Sequence, residues 1–245
     1  MDFSNQVVIV TGGTRGIGSG ITQAFLKANA TVIATYAHND EKASLFKTGL
    51  SEFKDKLIIK KFDVSLREQC EVFFNEITLQ FEQIHVLVNN SGIRKDNLGA
   101  VMTEQEWDSV IDVNLKGTFN MSQQAILHMM KTRYGRIINM SSVGGSIGIA
   151  GQANYAASKA GQIALSKSLS KEVAKRKITI NNVCPGFIET ELIDDLDKTL
   201  VKEYKSQIPM KRFGKIDEVA HAVLFLASSQ ASYITGASLE VTGGL

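Results

Sequence analysis

Val7-Val8-Ile9-Val10-Thr11-Gly12-Gly13-Thr14-Arg15-Gly16-Ile17-Gly18 opens on four apolar residues and passes directly into a glycine-rich turn. Ile17, Ile21, Phe25 and Ala28 come next at helical spacing, so the stretch reads strand, turn, helix. Glycines permit a tight turn and let a bulky anion approach the main chain, while the unpaired N–H groups at a helix start attract negative charge. The segment is therefore expected to cradle a pyrophosphate, with Gly12, Thr14, Arg15, Gly16, Ile17 and Gly18 in contact with it.

Outward from this turn, short β-branched runs alternate with helix-length segments: 31–35, 57–62, 86–88, 136–140, 178–183 and 238–241. With 7–10 these make seven strands, and strands alternating with helices predict a doubly wound α/β fold, a parallel sheet with helices on both faces. No proline-rich linker, low-complexity stretch or repeat divides residues 1–245, so a single domain is expected, its N-terminal half binding a dinucleotide and its C-terminal half carrying catalysis. A second readable helix starts at Thr103, with Glu106 completing a capping box. Trp107, Val110, Ile111, Asn114 and Thr118 fall on one of its faces. Asn114 in that stripe is either a structural tie or a site residue.

Composition excludes several classes. Twenty-seven Lys and Arg against 25 Asp and Glu leave a charge of +2, so neither nucleic acid nor an anionic membrane is an expected partner. The start, Met1 to Gln6, lacks a basic segment before its short apolar run, and no run approaches a membrane span. Cys70 and Cys184 show neither disulfide-framework nor metal-ligand spacing, and no metal is expected. A cytoplasmic protein with reduced thiols fits these features.

The second strand ends Thr35-Tyr36-Ala37-His38-Asn39, with no acid to accept from a ribose 2′-hydroxyl until Asp40. Arg15 can pair with a 2′-phosphate through its planar guanidinium, and NADP(H) is expected in preference to NAD(H). Tyr155 and Lys159, at i and i+4, lie on one helix face, where a fixed cation lowers a phenol's pKa and suits it to proton transfer. Ser141 and Ser142 come just after the fifth strand, at the end where open α/β sheets collect ligands, and either hydroxyl can hold a carbonyl oxygen.

The glycine turn, Asn89-Asn90-Ser91-Gly92, the Ser142 segment, Tyr155 with Lys159, and Pro185-Gly186 together resemble the short-chain dehydrogenase/reductase family, a Rossmann-fold family, over essentially the whole chain. The resemblance implies a tetrad of Asn114, Ser142, Tyr155 and Lys159, its spacing selecting Ser142. Ser142 and Tyr155 then bind the substrate carbonyl and Tyr155 donates the proton. Lys159 holds the nicotinamide ribose and lowers the phenol pKa, while Asn114 holds a relay water. It also implies cofactor contacts at His38, Asp63, Val64, Asn90, Ser91, Gly92, Pro185, Gly186, Ile188 and Thr190, and a homotetramer. Two positions depart from the pattern: Ser91 replaces an alanine, and Ala37 lacks a hydroxyl that relatives offer to the 2′-phosphate.

Gly135 to Asn139, Cys184 to Thr190 and Ile208 to Gly214 are similar to the 3-oxoacyl-acyl-carrier-protein reductases of fatty-acid synthesis. That likeness implies reduction of a 3-oxoacyl thioester on an acidic acyl carrier protein, docked at Arg133 and Arg176. Two basic groups surround these positions, Lys131, Arg133 and Arg136 in one and Lys171, Lys175, Arg176 and Lys177 in the other. Gly99 and Ala100, small for their place, leave polyketide or polyene assembly as another setting. Alternative activities are reduction of acetoacetyl-CoA or another small ketone, and, from a different class, non-catalytic nucleotide-binding regulation.

Overall fold

A computed structural model describes residues 1–190 and 198–245. Its sheet has seven strands in the order β3-β2-β1-β4-β5-β6-β7, every neighbouring pair parallel. They are β1 (Val7–Val10), β2 (Thr31–Tyr36), β3 (Leu57–Lys61), β4 (Val86–Asn89), β5 (Gly135–Met140), β6 (Ile178–Pro185) and β7 (Ser238–Val241). This is the doubly wound arrangement expected from the alternation of short and long segments. β6 runs two residues beyond the apolar stretch that marks it, because Cys184 and Pro185 still pair with Glu240 and Val241 of β7. The order reverses at β1, flanked by β2 and β4, and that reversal opens a crevice at the carboxyl ends of the strands.

Strand alternation divides the core into two layers. Val8 and Val10 of β1 join Ile21 and Phe25 of α1 (Gly16–Lys27) and the C-terminal helix Ile216–Ala227 on one face. Val7 and Ile9 face the other way, toward Phe73, Phe74 and Ile77 of Arg67–Gln80 and Met121, Ala125 and Met129 of Gly117–Thr132. Each wholly buried Ile or Phe contributes about 2–3 kcal/mol, so burial on both faces explains why these strands are continuous apolar runs.

The capping box at Thr103 forms as read: Glu106 N donates to Thr103 Oγ1 at 3.2 Å and Thr103 N to Glu106 Oε2 at 2.8 Å. The α-helix it starts, Glu104–Ile111, gives way to one π-helical turn, Asp112–Lys116, which places Asn114. The expected single stripe is thus interrupted. Val110, Asn114 and Thr118 are buried, whereas Trp107 is 40% exposed.

A row of polar side chains crosses the sheet in register, Asn89 beside Asn139 beside Asn182 beside Ser238. Asn89 donates to Asn139 (2.7 Å), Asn139 to Ser166 (2.8 Å), Ser166 to Asn182 (2.6 Å) and Asn182 to Ser238 (3.1 Å). Ser166 belongs to the long helix Ala153–Val173, so the row binds that helix to four strands.

At the opposite end of the sheet, His85 Nδ1 accepts from Val7 N (3.0 Å) and His128 Nε2 from Ile84 N (3.3 Å). Both imidazoles must be neutral to accept, and burial holds both below the ordinary 6.5. Their contribution to stability is whole above pH 6.5 and is lost as pH falls from there toward the lower folded-state values, because the unfolded chain takes up protons first. The urea midpoint should therefore fall between about pH 7 and pH 5, and the double variant His85→Asn, His128→Gln, which keeps both acceptors, should flatten that slope. An equal slope in parent and variant would show that these imidazoles are not its source.

Candidate active site

The glycine turn is stitched to the end of β4. Thr11 Oγ1 accepts from Asn90 N (2.9 Å) and Ser91 N (3.0 Å), and Asn90 Nδ2 donates to the carbonyls of Thr11 (3.0 Å) and Gly12 (3.1 Å). A Cβ on Gly18 would stand 2.1 Å from the Gly12 oxygen and 2.4 Å from Asn90 Nδ2, so only glycine lets α1 start this close to the turn. Gly12 and Gly16 have φ of +61° and +52°, and around Gly16 a Cβ would meet nothing within 4 Å. The first turn of α1 holds no acidic residue, and its N-cap, Arg15, makes no capping bond, so the helix amides point at open space with positive polarity. A pyrophosphate fits this cradle.

Arg15 and His38 are both exposed. Asp40 is already paired, accepting from Tyr36 Oη (2.9 Å) and Lys61 Nζ (2.7 Å). Asp63 accepts from the backbone and hydroxyl of Ser65, and Asn120 Nδ2 donates to Val64 O at 3.0 Å, which shapes the wall after β3. Past the end of β6, Gly186 N donates to Val241 O (3.0 Å), and Ile188 pairs with Gly214 in an isolated bridge. Ile188 is buried and Thr190 half-buried. All the strands being parallel, these segments share one end of the sheet with the glycine turn and with Ser142.

The four tetrad positions meet there. A Cβ on Gly144 would lie 3.5 Å from Ser142 Oγ and 3.8 Å from Tyr155 Cε1, so the two side chains face one space, and Ser142 Oγ accepts from Gly144 N at 3.1 Å. Ser141 is buried and donates to Lys159 O at 2.9 Å, a structural use that leaves Ser142 as the hydroxyl facing Tyr155. A Cβ on Gly145 would lie 2.9 Å from Ala160 N, and its absence lets this segment rest on the long helix. Lys159 is 4% exposed. Its Nζ donates to Met140 O (2.7 Å) and Gln162 Oε1 (3.3 Å) and stands 5.5 Å from the centroid of the Tyr155 ring. Asn114 Oδ1 accepts from Ile93 N (2.8 Å), and its Nδ2 donates to Ile93 O (3.0 Å) and Ser158 Oγ (3.1 Å).

Burial pushes Tyr155 above the ordinary 10, with the nearby Ser142 hydroxyl pulling the other way, and pushes Lys159 down to about 8. Desolvation is the largest influence on the phenol, and the Lys159 ammonium is directed at Met140 O and Gln162 Oε1.

Several residues that the sequence reading passed over complete the site. Gln152 Nε2 donates to Asp96 Oδ2 (2.9 Å), and Asn154 Nδ2 to the carbonyls of Lys95 (2.9 Å) and Glu106 (3.0 Å), which clamps the loop after β4 to the start of the long helix. Gln162, three residues after Lys159 and seven after Tyr155, lies on their helical face, and that spacing could have revealed it.

Arg133 and Arg176 are exposed, each two residues ahead of the paired positions Gly135 and Ile178 where β5 and β6 begin. They stand at the opposite end of the sheet from Tyr155, and β5 alone spans about 20 Å. Arg136 does not belong to their basic group. It is 4% exposed, donates to the carbonyls of Gly135 (2.9 Å) and Lys177 (3.2 Å), and packs on the Tyr134 ring.

A family model described as Enoyl-(Acyl carrier protein) reductase matches residues 12–245. Among curated proteins, the chain is 44% identical over 240 residues to the 3-oxoacyl-(acyl-carrier-protein) reductase FabG of Staphylococcus aureus strain Mu50, covering 97% of this chain and 96% of the relative. It is 43% identical over 247 residues to the protein of that name in Thermotoga maritima, covering 100% and 99%, and 42% identical over 245 residues to that of Rickettsia typhi, covering 100% and 98%. The chain belongs to the short-chain dehydrogenase/reductase family. It is an oxidoreductase of nicotinamide-cofactor type, and the glycine cradle suits the pyrophosphate of such a cofactor. No helix among the described residues is long and apolar enough to cross a membrane.

Gly18→Ala should weaken nicotinamide-cofactor binding at least about tenfold and lower the melting temperature, because backbone rather than a flexible side chain would have to move. Titration of cofactor fluorescence checks this, and a parent-like affinity would refute the cradle.

Proposed function

We propose that this protein reduces the 3-oxo group of an acyl thioester, carried on an acyl carrier protein, to the 3-hydroxyl, with NADPH as the preferred donor, in fatty-acid or related polyketide or polyene synthesis in the cytoplasm. The observation that carries this reading is the meeting of Ser142, Tyr155, Lys159 and Asn114 beside the glycine cradle. Whole-length likeness to curated 3-oxoacyl-(acyl-carrier-protein) reductases supports it.

The residues from Gly12 to Gly18 would hold the pyrophosphate, His38, Asp63, Val64 and Asn90 the adenosine end, and Ser91 and Gly92 would line the passage to the catalytic side. Pro185, Gly186, Ile188 and Thr190 would hold the nicotinamide end. When bound, the nicotinamide supplies the hydride that reaches the carbonyl carbon. Ser142 and Tyr155 hold the carbonyl oxygen through their hydroxyls. A phenol raised by burial remains protonated at neutral pH, which keeps Tyr155 in its acid form until the oxygen gains negative charge. The phenolic proton then passes to that oxygen and completes the hydroxyl. Lys159 would hold the nicotinamide ribose, and Asn114, whose side chain fixes the Ile93 backbone, would hold a water of the proton relay.

Selection of NADPH rests on Arg15 and on the paired state of Asp40, whose charge is offset by Lys61 and therefore repels a 2′-phosphate less. Carrier docking at Arg133 and Arg176 belongs with a homotetramer. These residues lie far from Tyr155 within one chain, so in this reading they serve the site of another copy.

Turnover of a 3-oxoacyl carrier-protein thioester, its CoA ester, a 2-enoyl thioester and free ketones, each with NADPH and NADH, tests the proposal. The carrier-protein 3-oxoacyl thioester with NADPH should give the highest kcat/KM. A preference for acetoacetyl-CoA, a small ketone or the enoyl substrate would replace it. Tyr155→Phe should lose most activity, and a variant as fast as the parent would leave a regulator or another acid. Arg15→Ala should raise KM for NADPH over NADH about tenfold; an unchanged ratio removes its role. Reversing Arg133 and Arg176 to Glu should raise KM for the carrier-bound substrate and spare a small thioester mimic, and equal effects on both would refute docking there.

A further inference from the structure

Gln162 is completely buried on the face of the long helix that carries Tyr155 and Lys159. Its Oε1 accepts from Lys159 Nζ at 3.3 Å, and its Nε2 donates to the main-chain oxygen of Asn114 and to Thr118 Oγ1, both at 2.7 Å. The amide can be oriented only this way round. An ammonium and a carbonyl fix opposite ends of it, and a flip would set N–H against N–H at one end and oxygen against oxygen at the other. Thr118 Oγ1 in turn donates to Asn114 O at 2.6 Å, so that carbonyl receives two side-chain donors from the protein.

Gln162 is thus the direct link between Lys159 and the π-helical turn. Two of the three N–H donors of Lys159 are committed, to Met140 O and to Gln162 Oε1, which fixes the direction of the third. Gly92, where a Cβ would lie 3.6 Å from Nζ and 3.4 Å from Asn114 Oδ1, packs over the same point. The charged and titratable groups around the pair are Cys184 of β6 and Tyr155 beside Lys159, and Arg94 and Asp96, after β4, beside Tyr155.

We propose that Gln162 is a positioning residue for the reaction, its side-chain amide holding the Lys159 ammonium in its working direction by joining it to Asn114 and Thr118. It acts through Lys159 and does not itself touch substrate, and the inference rests on the role given to Lys159 under the proposed function. Without the amide oxygen, a buried ammonium loses its one side-chain acceptor among the described residues. With a carboxylate in its place, the ammonium gains a counter-charge.

The test is the pH dependence of ketone reduction together with the dissociation constant for NADPH, measured without turnover. Protonated Lys159 being the working form, activity of the parent falls as pH rises through about 8. Gln162→Leu should move that limb down by about one pH unit and weaken NADPH binding about tenfold, and Gln162→Glu should move the limb up by a similar amount. A residue that only packed would alter the melting temperature and leave the limb in place. Limb and affinity unchanged in both folded variants would therefore overturn the proposal. Should Gln162→Leu fail to fold, Thr118→Val, which removes one anchor of the amide and leaves the amide present, should shift the limb in the same direction by less; no shift overturns it equally. Lys159→Arg separates the two readings. If it leaves the parental limb unmoved, the role of Lys159 has failed, whereas a limb that tracks Lys159 but ignores Gln162 refutes the positioning alone.

Discussion

The long helix Ala153–Val173 meets the sheet through a polar seam, and the rest of the site depends on that contact. Asn154, Ser158, Gln162, Ser166 and Ser170 recur every four residues and are all buried. Every amide or hydroxyl left unpaired in such a place costs about 1–3 kcal/mol, so the seam tolerates few registers of helix against sheet. Within it, Asn154 holds the helix to the loop after β4, Ser158 and Gln162 hold it to the π-helical turn, and Ser166 holds it to Asn139 and Asn182. A lysine can be buried here because the surroundings already supply oriented acceptors.

Most of the architecture was legible because it derives from period and polarity. Seven apolar runs separated by helix-length segments leave little besides a parallel sheet with helices on both sides, and the observed strand ends fall within two residues of those runs. The capping box at Thr103 was legible for the same local reason. The long helix shows where that kind of reading stops. Its inward stripe is serine, asparagine and glutamine, so hydrophobic period carries no signal of which side is buried. Trp107 marks a related limit, since an apolar residue on a helix face can still lie 40% exposed in a single chain.

Site residues were legible to differing depths. Tyr155 and Lys159 are readable as a pair on one face, but their electrostatics are not, because desolvation depends on the groups that surround them and drives the two toward neutrality from opposite sides. Ser141 and Ser142 are indistinguishable by local chemistry and are separated by which way each points, one toward Lys159 O and the other toward the phenol. Arg136 shows the converse error. A cation counted with its sequence neighbours as surface charge is folded beneath them, with its guanidinium on backbone carbonyls, because alternation along β5 turns it inward.

The π-helical turn Asp112–Lys116 has a consequence for how this chain can change length. Such a turn accommodates one residue more than an α-helix of the same rise, so it acts as a local insertion absorbed without a loop. Removing one residue there would restore a regular helix and leave the Glu104–Ile111 and Gly117–Thr132 helices close to their present alignment, while withdrawing the local widening that places Asn114. The segment is therefore cheap to shorten in backbone energy, and what a deletion would cost is the position of Asn114 against Ile93 and Ser158.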